Sequence, residues 1–143
     1  MIFSVITAGI ASGAFSIFFN IRGINTLFAA INGTIGFLIF SLLTQYGLAS
    51  YIAMLFASMA MAAYAEILAR LRKAPASLFL VAGIIPIVPG GGIFEFALSF
   101  IQGDNDMAVS IGIRTLLEAG SIALGIIIVS SVVKLLLSGK KRI

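Results

Sequence analysis

Residues 86–92 read Pro-Ile-Val-Pro-Gly-Gly-Gly and lie inside a segment that is otherwise apolar enough to cross a membrane. Each proline removes a backbone donor and its ring clashes with the preceding turn, while each glycine costs about 1 kcal/mol relative to alanine in a helix interior. In hydrocarbon, broken backbone is tolerated only where protein or a water-filled cavity surrounds it. The run therefore predicts a broken membrane helix, and Glu95 places a carboxylate three residues beyond it.

The composition indicates an integral membrane protein. Of 143 residues, 61% are apolar and 10% are charged, whereas soluble domains carry about 25% charged residues. The chain has no cysteine or histidine, which excludes disulfides, histidine bases and the usual zinc sites. We expect no cofactor, no metal and no enzymatic activity, since no nucleophile–base pair is visible. The basic residues stand at segment ends, which does not suggest a nucleic-acid partner.

The hydrophobic pattern predicts an all-α, polytopic membrane protein with one transmembrane domain over residues 1–143. About 20 apolar residues cross a bilayer. Five segments approach that length: 2–19, 27–43, 49–69, 77–101 (broken at 86–92) and 108–137. No basic stretch precedes the first segment, so we expect a retained span; a cleaved signal peptide is the alternative. Asp106 is the predicted N-cap of the last segment.

The basic residues predict the orientation. Apart from Arg114, they follow the first segment (Arg22), follow the third (Arg70, Arg72 and Lys73) or close the fifth (Lys134, Lys140, Lys141 and Arg142). All lie on one side if the N-terminus is outside and the C-terminus inside, as five crossings require. The rival topology has a re-entrant fourth segment, which would put the basic tail outside.

The break itself is the first candidate site. Backbone amides of Gly90–Ile93, at the start of a second half-helix, would bind a carboxylate. Carbonyls near Ile84–Ile85, at the end of the first half-helix, would suit an ammonium group or a coupling cation. Glu95, expected in the first turn of the second half-helix, would cap that helix, bind the ammonium group of a substrate, or carry a proton. A tight turn that serves packing alone is the alternative.

Arg114 and Glu118 lie four residues apart, hence on one face of the last helix. They would form an intrahelical ion pair, or Arg114 would bind a substrate carboxylate while Glu118 orients it or exchanges a proton. Asn32 is predicted to bind another helix or a ligand, and Glu66 to pair with Arg70 at the surface. The complete predicted substrate-binding set is Pro86, Pro89, Gly90, Gly91, Gly92, Glu95, Arg114 and Glu118.

Residues 73–90, Lys-Ala-Pro-Ala-Ser-Leu-Phe-Leu-Val-Ala-Gly-Ile-Ile-Pro-Ile-Val-Pro-Gly, resemble the threonine/serine exporter family, specifically its smaller membrane half. The resemblance implies a multi-pass protein of the bacterial inner membrane, with Pro86, Pro89 and Gly90 as signature positions. It also implies a partner subunit with a cytoplasmic N-terminal domain and about five spans. Family export is linked to the proton motive force, and its substrates include threonine and serine, with succinate in one branch.

The predicted function is therefore that of one membrane subunit in a two-component secondary exporter of small carboxylate-bearing metabolites. Threonine and serine are the expected substrates, and dicarboxylates such as succinate are the alternative. A partner that starts inside and crosses five times would form an inverted 5+5 pair with this chain, an architecture that places substrate sites near the midplane. A non-transporting scaffold subunit is the second alternative.

Overall fold

The computed structural model describes the backbone of residues 1–140 and the side chains of residues 1–137. Over that range the chain forms six α-helices, one 3₁₀ turn and no strand, so the all-α prediction is confirmed. The elements are α1 (Ile2–Phe18), α2 (Ile24–Gln45), α3 (Ser50–Arg72), α4 (Ala76–Gly83), the 3₁₀ turn Ile85–Ile87, α5 (Gly90–Ile101) and α6 (Asn105–Lys140). The predicted basic tail of Lys140, Lys141 and Arg142 lies outside the described side chains.

Three helices are long and apolar enough to cross a membrane: Ile24–Gln45, Ser50–Arg72 and Asn105–Leu137. The first helix, with 17 residues, and α5, with 12, are apolar but shorter. The last helix begins at Asn105, before the expected residue 108. Its cap is Asp104, whose carboxylate accepts the Met107 N–H at 3.1 Å, so the prediction of Asp106 as the N-cap was wrong. Asp104 directly precedes the first helical residue and binds the amide three residues further on, as an N-cap residue does.

Small residues let the helices approach closely. A Cβ on Gly9 would overlap the Thr34 hydroxyl, and a Cβ on Gly125 would stand 2.7 Å from the Leu55 carbonyl oxygen. These positions are the α1–α2 and α3–α6 crossings, where glycine removes the side chain that would hold the backbones apart.

The half-helices of the broken segment have different neighbours. The first of them, α4, packs against α1, α2 and α3, and its Phe79 is fully buried. The second, α5, packs against α6 in the opposite direction: Gly92 lies beside Thr115, and Phe96 beside Gly112. Its outer side chains, among them Phe94, are exposed. The break thus divides the segment between a central bundle and an α5–α6 hairpin.

The third and sixth helices run in the same direction. Ser50 at the start of α3 contacts Glu118, and Ser58, about two turns later, lies against Gly125. Residue numbers therefore increase in the same direction along both helices. Glu118 is thirteen residues beyond the start of α6 at Asn105. At ~1.5 Å per residue, the preceding part of α6 extends ~20 Å past that contact.

The bounds of the break differ from those predicted. The break was predicted at residues 86–92, but the first half-helix already ends at Gly83, and the three glycines belong to the first turn of α5. Pro86 cannot donate to the Ala82 carbonyl, which ends the α-helical ladder early. The first-turn amides of a helix have no intrahelical acceptor, so Pro89 at the N-cap costs the second half-helix no bond.

Candidate functional site

A cavity of about 260 Å³ lies between the first two turns of α5 and residues 111–118 of α6. Its size is just below the ~300–1,000 Å³ typical of sites for drug-sized ligands, so it suits a smaller metabolite. It brings together five of the eight predicted site residues, with two others. The lining residues are Gly91, Gly92, Glu95, Ile111, Arg114, Thr115 and Glu118.

Two backbone amides face this region without a partner in the described part of the chain. The Gly90 N–H donates to the Val88 carbonyl at 2.7 Å, and the Ile93 N–H donates to the Pro89 carbonyl at 3.2 Å. The free donors are therefore Gly91 and Gly92, and the expectation that all amides of Gly90–Ile93 are available was wrong. Two free N–H groups at a helix N-terminus still favour a carboxylate.

Arg114 and Glu118 of α6 form the predicted ion pair. Arg114 Nε donates to Glu118 Oε1 at 3.1 Å, and the hydroxyl of Ser50 donates to the same oxygen. The Glu118 side chain is 8% exposed, whereas that of Arg114 is 71% exposed. A guanidinium carries five N–H donors, so Arg114 can hold Glu118 and still present its outer edge to an anion.

Glu95 occupies the second turn of α5, because that helix begins at Gly90. No acidic residue stands in the first turn and no side chain caps the helix, so the predicted first-turn position of Glu95 was wrong. Its carboxylate lines the cavity, is exposed and has no ion pair among the described residues. A free carboxylate here is available to a cationic group.

The remaining three predicted residues do not line the cavity. Pro86 is half-buried in the 3₁₀ turn, Pro89 is buried at the N-cap of α5, and an added Cβ on Gly90 would meet nothing within 4 Å. The prolines therefore shape the backbone that leads into the site.

Two polar residues of the site were not predicted. Thr115 lies one turn from Ile111 and donates its hydroxyl to the Ile111 carbonyl at 2.8 Å, which leaves its oxygen free to accept. Its position three residues before Glu118, on the same helix face, could have revealed it. Ser50 is separated from Glu118 by 68 positions in sequence, so only the α3–α6 packing brings them together.

The carbonyls predicted to be available near Ile84–Ile85 are occupied. The Ile84 carbonyl accepts from Ile87 and Val88, and the Ile85 carbonyl accepts from Val88 at 3.3 Å. That prediction was wrong, because the 3₁₀ turn uses these acceptors itself. Asn32 forms the predicted interhelical bond: its Nδ2 donates to the Phe79 carbonyl at 3.1 Å. Glu66 and Arg70 form the predicted pair at 3.6 Å.

The structure is that of a helical membrane protein with a cavity, lined in part by charged residues, between a broken helix and its neighbour. The family model described as Threonine/Serine exporter, ThrE, matches residues 4–132. The chain therefore belongs to the threonine/serine exporter family, which is a family of membrane transporters, as its sequence predicted. No curated protein and no solved structure matches it.

Proposed function

We propose that this chain is one membrane subunit of a two-component secondary exporter in the bacterial inner membrane, with threonine and serine as substrates. The observation that carries the proposal is the cavity that gathers Glu95, Arg114, Glu118 and the free amides of Gly91 and Gly92. One cavity thus offers both anion-binding and cation-binding groups.

The charges of the site favour a zwitterion over a dicarboxylate. With Glu95, Glu118 and Arg114 ionised, the cavity carries a formal charge of −1. A substrate carboxylate would bind the outer edge of Arg114 or the two glycine amides, and its ammonium group would bind Glu95. The side-chain hydroxyl of threonine or serine would donate to Thr115. Succinate would bring two negative charges to two glutamates and one arginine.

The two glutamates have separate roles in the proposed mechanism. Glu118 is held by Ser50 and Arg114, so it fixes the guanidinium. Glu95 has no such partner and is the proposed group that exchanges a proton for the substrate ammonium. Export driven by the proton motive force would follow from that exchange as the α5–α6 hairpin alternates between the two sides.

We further propose five crossings with the N-terminus outside. The parallel packing of α3 and α6 supports this topology, because a re-entrant fourth segment would make the two helices antiparallel. The chain has no cysteine, so single-cysteine variants need no altered background. Asp106→Cys should react with an impermeant maleimide in intact cells, and Lys73→Cys only after permeabilisation. The reverse pattern, or equal labelling, would refute the topology.

The partner in this proposal is a second membrane subunit with a cytoplasmic N-terminal domain and about five spans. The test is efflux of threonine, serine and succinate from cells making this chain, its genomic neighbour, or both. Efflux of threonine or serine only with both supports the proposal. Efflux of succinate instead would reassign the substrate, and efflux from this chain alone would remove the partner from the mechanism.

Glu95→Gln separates transport from scaffolding. We expect it to abolish coupled export while leaving membrane insertion and partner binding intact. Glu66→Gln is the matched control, because it removes an equal charge from a pair that lies outside the cavity. Full export by a correctly inserted Glu95→Gln variant would remove Glu95 from the mechanism. Normal export after neutralisation of all three cavity charges would favour the scaffold alternative.

A further inference from the structure

A second polar cluster lies where α1, α2 and α4 meet, in the central bundle and apart from the cavity. Ser12 of α1 and Asn32 of α2 are both fully buried there. The hydroxyl oxygen of Ser12 and the Oδ1 atom of Asn32 have no hydrogen-bond partner among the described residues. A buried polar group without a partner is destabilising, because it has lost its bonds to water and gained none in exchange. Two such atoms at one helix crossing indicate that a ligand binds there.

The end of α4 supplies further oxygens to the same crossing. A Cβ on Gly33 would overlap the Ser12 hydroxyl and stand 3.1 Å from the Gly83 carbonyl oxygen. Pro86 has no N–H for the Ala82 carbonyl, and no described backbone N–H donates to Ala82 or Gly83. The unused acceptors of the broken helix are thus the carbonyls of Ala82 and Gly83, two residues before the carbonyls that the sequence suggested.

The geometry points to a site for Na⁺ formed by Ser12, Asn32 and the carbonyls of Ala82 and Gly83. Every atom assigned to the ligand is a neutral oxygen, and the amide nitrogen of Asn32 is engaged by the Phe79 carbonyl. Hard monovalent cations bind such carbonyl and hydroxyl oxygens, and the C-terminal ends of half-helices in transporters coordinate them. Glycine at 33 and 83 keeps the backbones close enough for the oxygens to converge.

This cluster suits an ion better than the amino acid proposed for the cavity. A Cβ on Gly83 would stand 3.0 Å from Asn32 Nδ2 and 3.2 Å from its Cβ, so the crossing has no room for an organic molecule. Bound Na⁺ would tie the end of α4 to α1 and α2 and would satisfy the two orphan oxygens together.

The test is the thermal midpoint of the purified chain in detergent, in NaCl, KCl or choline chloride at equal ionic strength. We expect Na⁺ alone to raise the midpoint by ~2–4 °C near saturation. Ser12→Ala should abolish this response and raise the midpoint in KCl, because it removes an unsatisfied hydroxyl. Ser16→Ala is the matched control: Ser16 is equally buried one turn away, but its hydroxyl donates to the Gly13 carbonyl at 2.7 Å.

Pro86→Ala provides a second variant. It restores an N–H that can donate to the Ala82 carbonyl, so it should weaken the Na⁺ response without touching Ser12 or Asn32. Equal midpoints for wild type in all three salts would overturn the assignment. A Na⁺ response that survives Ser12→Ala would do the same, as would stabilisation by threonine in place of Na⁺ that Ser12→Ala removes. All these thermal midpoints are measured on the purified chain alone, so their outcome is independent of whether the chain takes part in export.

Discussion

Alanine substitutions at Gly92 and Gly90 should have opposite effects on stability. Both glycines belong to the first turn of α5, where alanine gains about 0.5–1 kcal/mol of helix propensity. A Cβ on Gly90 meets nothing within 4 Å, so Gly90→Ala should keep that gain. A Cβ on Gly92 would overlap Thr115 Oγ1 and stand 3.4 Å from its Cβ and Cγ2.

Thr115 has little freedom to move away. It is β-branched, and its hydroxyl donates to Ile111 at 2.8 Å, a bond with a net contribution of about 1 kcal/mol. Overpacking of this contact should cost about 2 kcal/mol in total, with the loss of that bond included. After the propensity gain is subtracted, Gly92→Ala should lose about 1–2 kcal/mol, which places it about 2 kcal/mol below Gly90→Ala.

The assay is loss of helical circular dichroism on heating, in one detergent and at one scan rate. A difference of that size separates the two midpoints by ~4–8 °C. Gly92→Ala with Thr115→Ala should recover most of the loss, since the second change removes the clashing atoms, and a double-mutant cycle measures that coupling. If Gly92→Ala matches Gly90→Ala, or the double variant shows no recovery, the α5–α6 packing described above is wrong.

Three further substitutions test individual contacts. Asp104→Ala should destabilise the chain by about 1 kcal/mol through loss of the α6 cap, whereas Asp106→Ala should change the thermal midpoint less; equal losses would refute the cap assignment. Ser50→Ala should cost about 1.5–3 kcal/mol, because it removes a donor from the buried Glu118 carboxylate, and Ser110→Ala, at an exposed position nearby, should leave the midpoint unchanged. Arg70→Gln should change stability by less than about 0.5 kcal/mol and leave efflux normal, since its pair with Glu66 is partly exposed; a large loss of either would contradict that.

The sequence determined the class of the protein, because a chain must be predominantly apolar to lie within a membrane and this property can be read from the composition. The apolar fraction, the segment lengths and the break at residues 86–92 each follow from local physical rules that need no neighbour. The pairing of Arg114 with Glu118 is local in the same sense, as the helical repeat alone places them together.

The bounds within the break were less predictable, because several acceptors compete there over a few residues. The break was expected at residues 86–92, but α4 ends at Gly83 and a 3₁₀ turn uses the carbonyls of Ile84 and Ile85. The three glycines were counted within the break, yet they form the first turn of α5. Helix ends depend on which bonds the following turn can make, which propensity alone does not specify.

What only the tertiary structure decided is which residues meet across the bundle. Ser50 meets Glu118 because α3 and α6 pack in parallel, and Ser12 lies against Gly33, the neighbour of Asn32, because α1 packs directly on α2. The packing of α5 against α6 places Glu95 in the cavity and leaves Pro86 outside it. Periodicity fixes the face of a helix that each residue occupies, but in a membrane nearly every face is apolar. The choice between neighbours then depends on close packing of small residues and on a few polar atoms, which are properties of the folded chain.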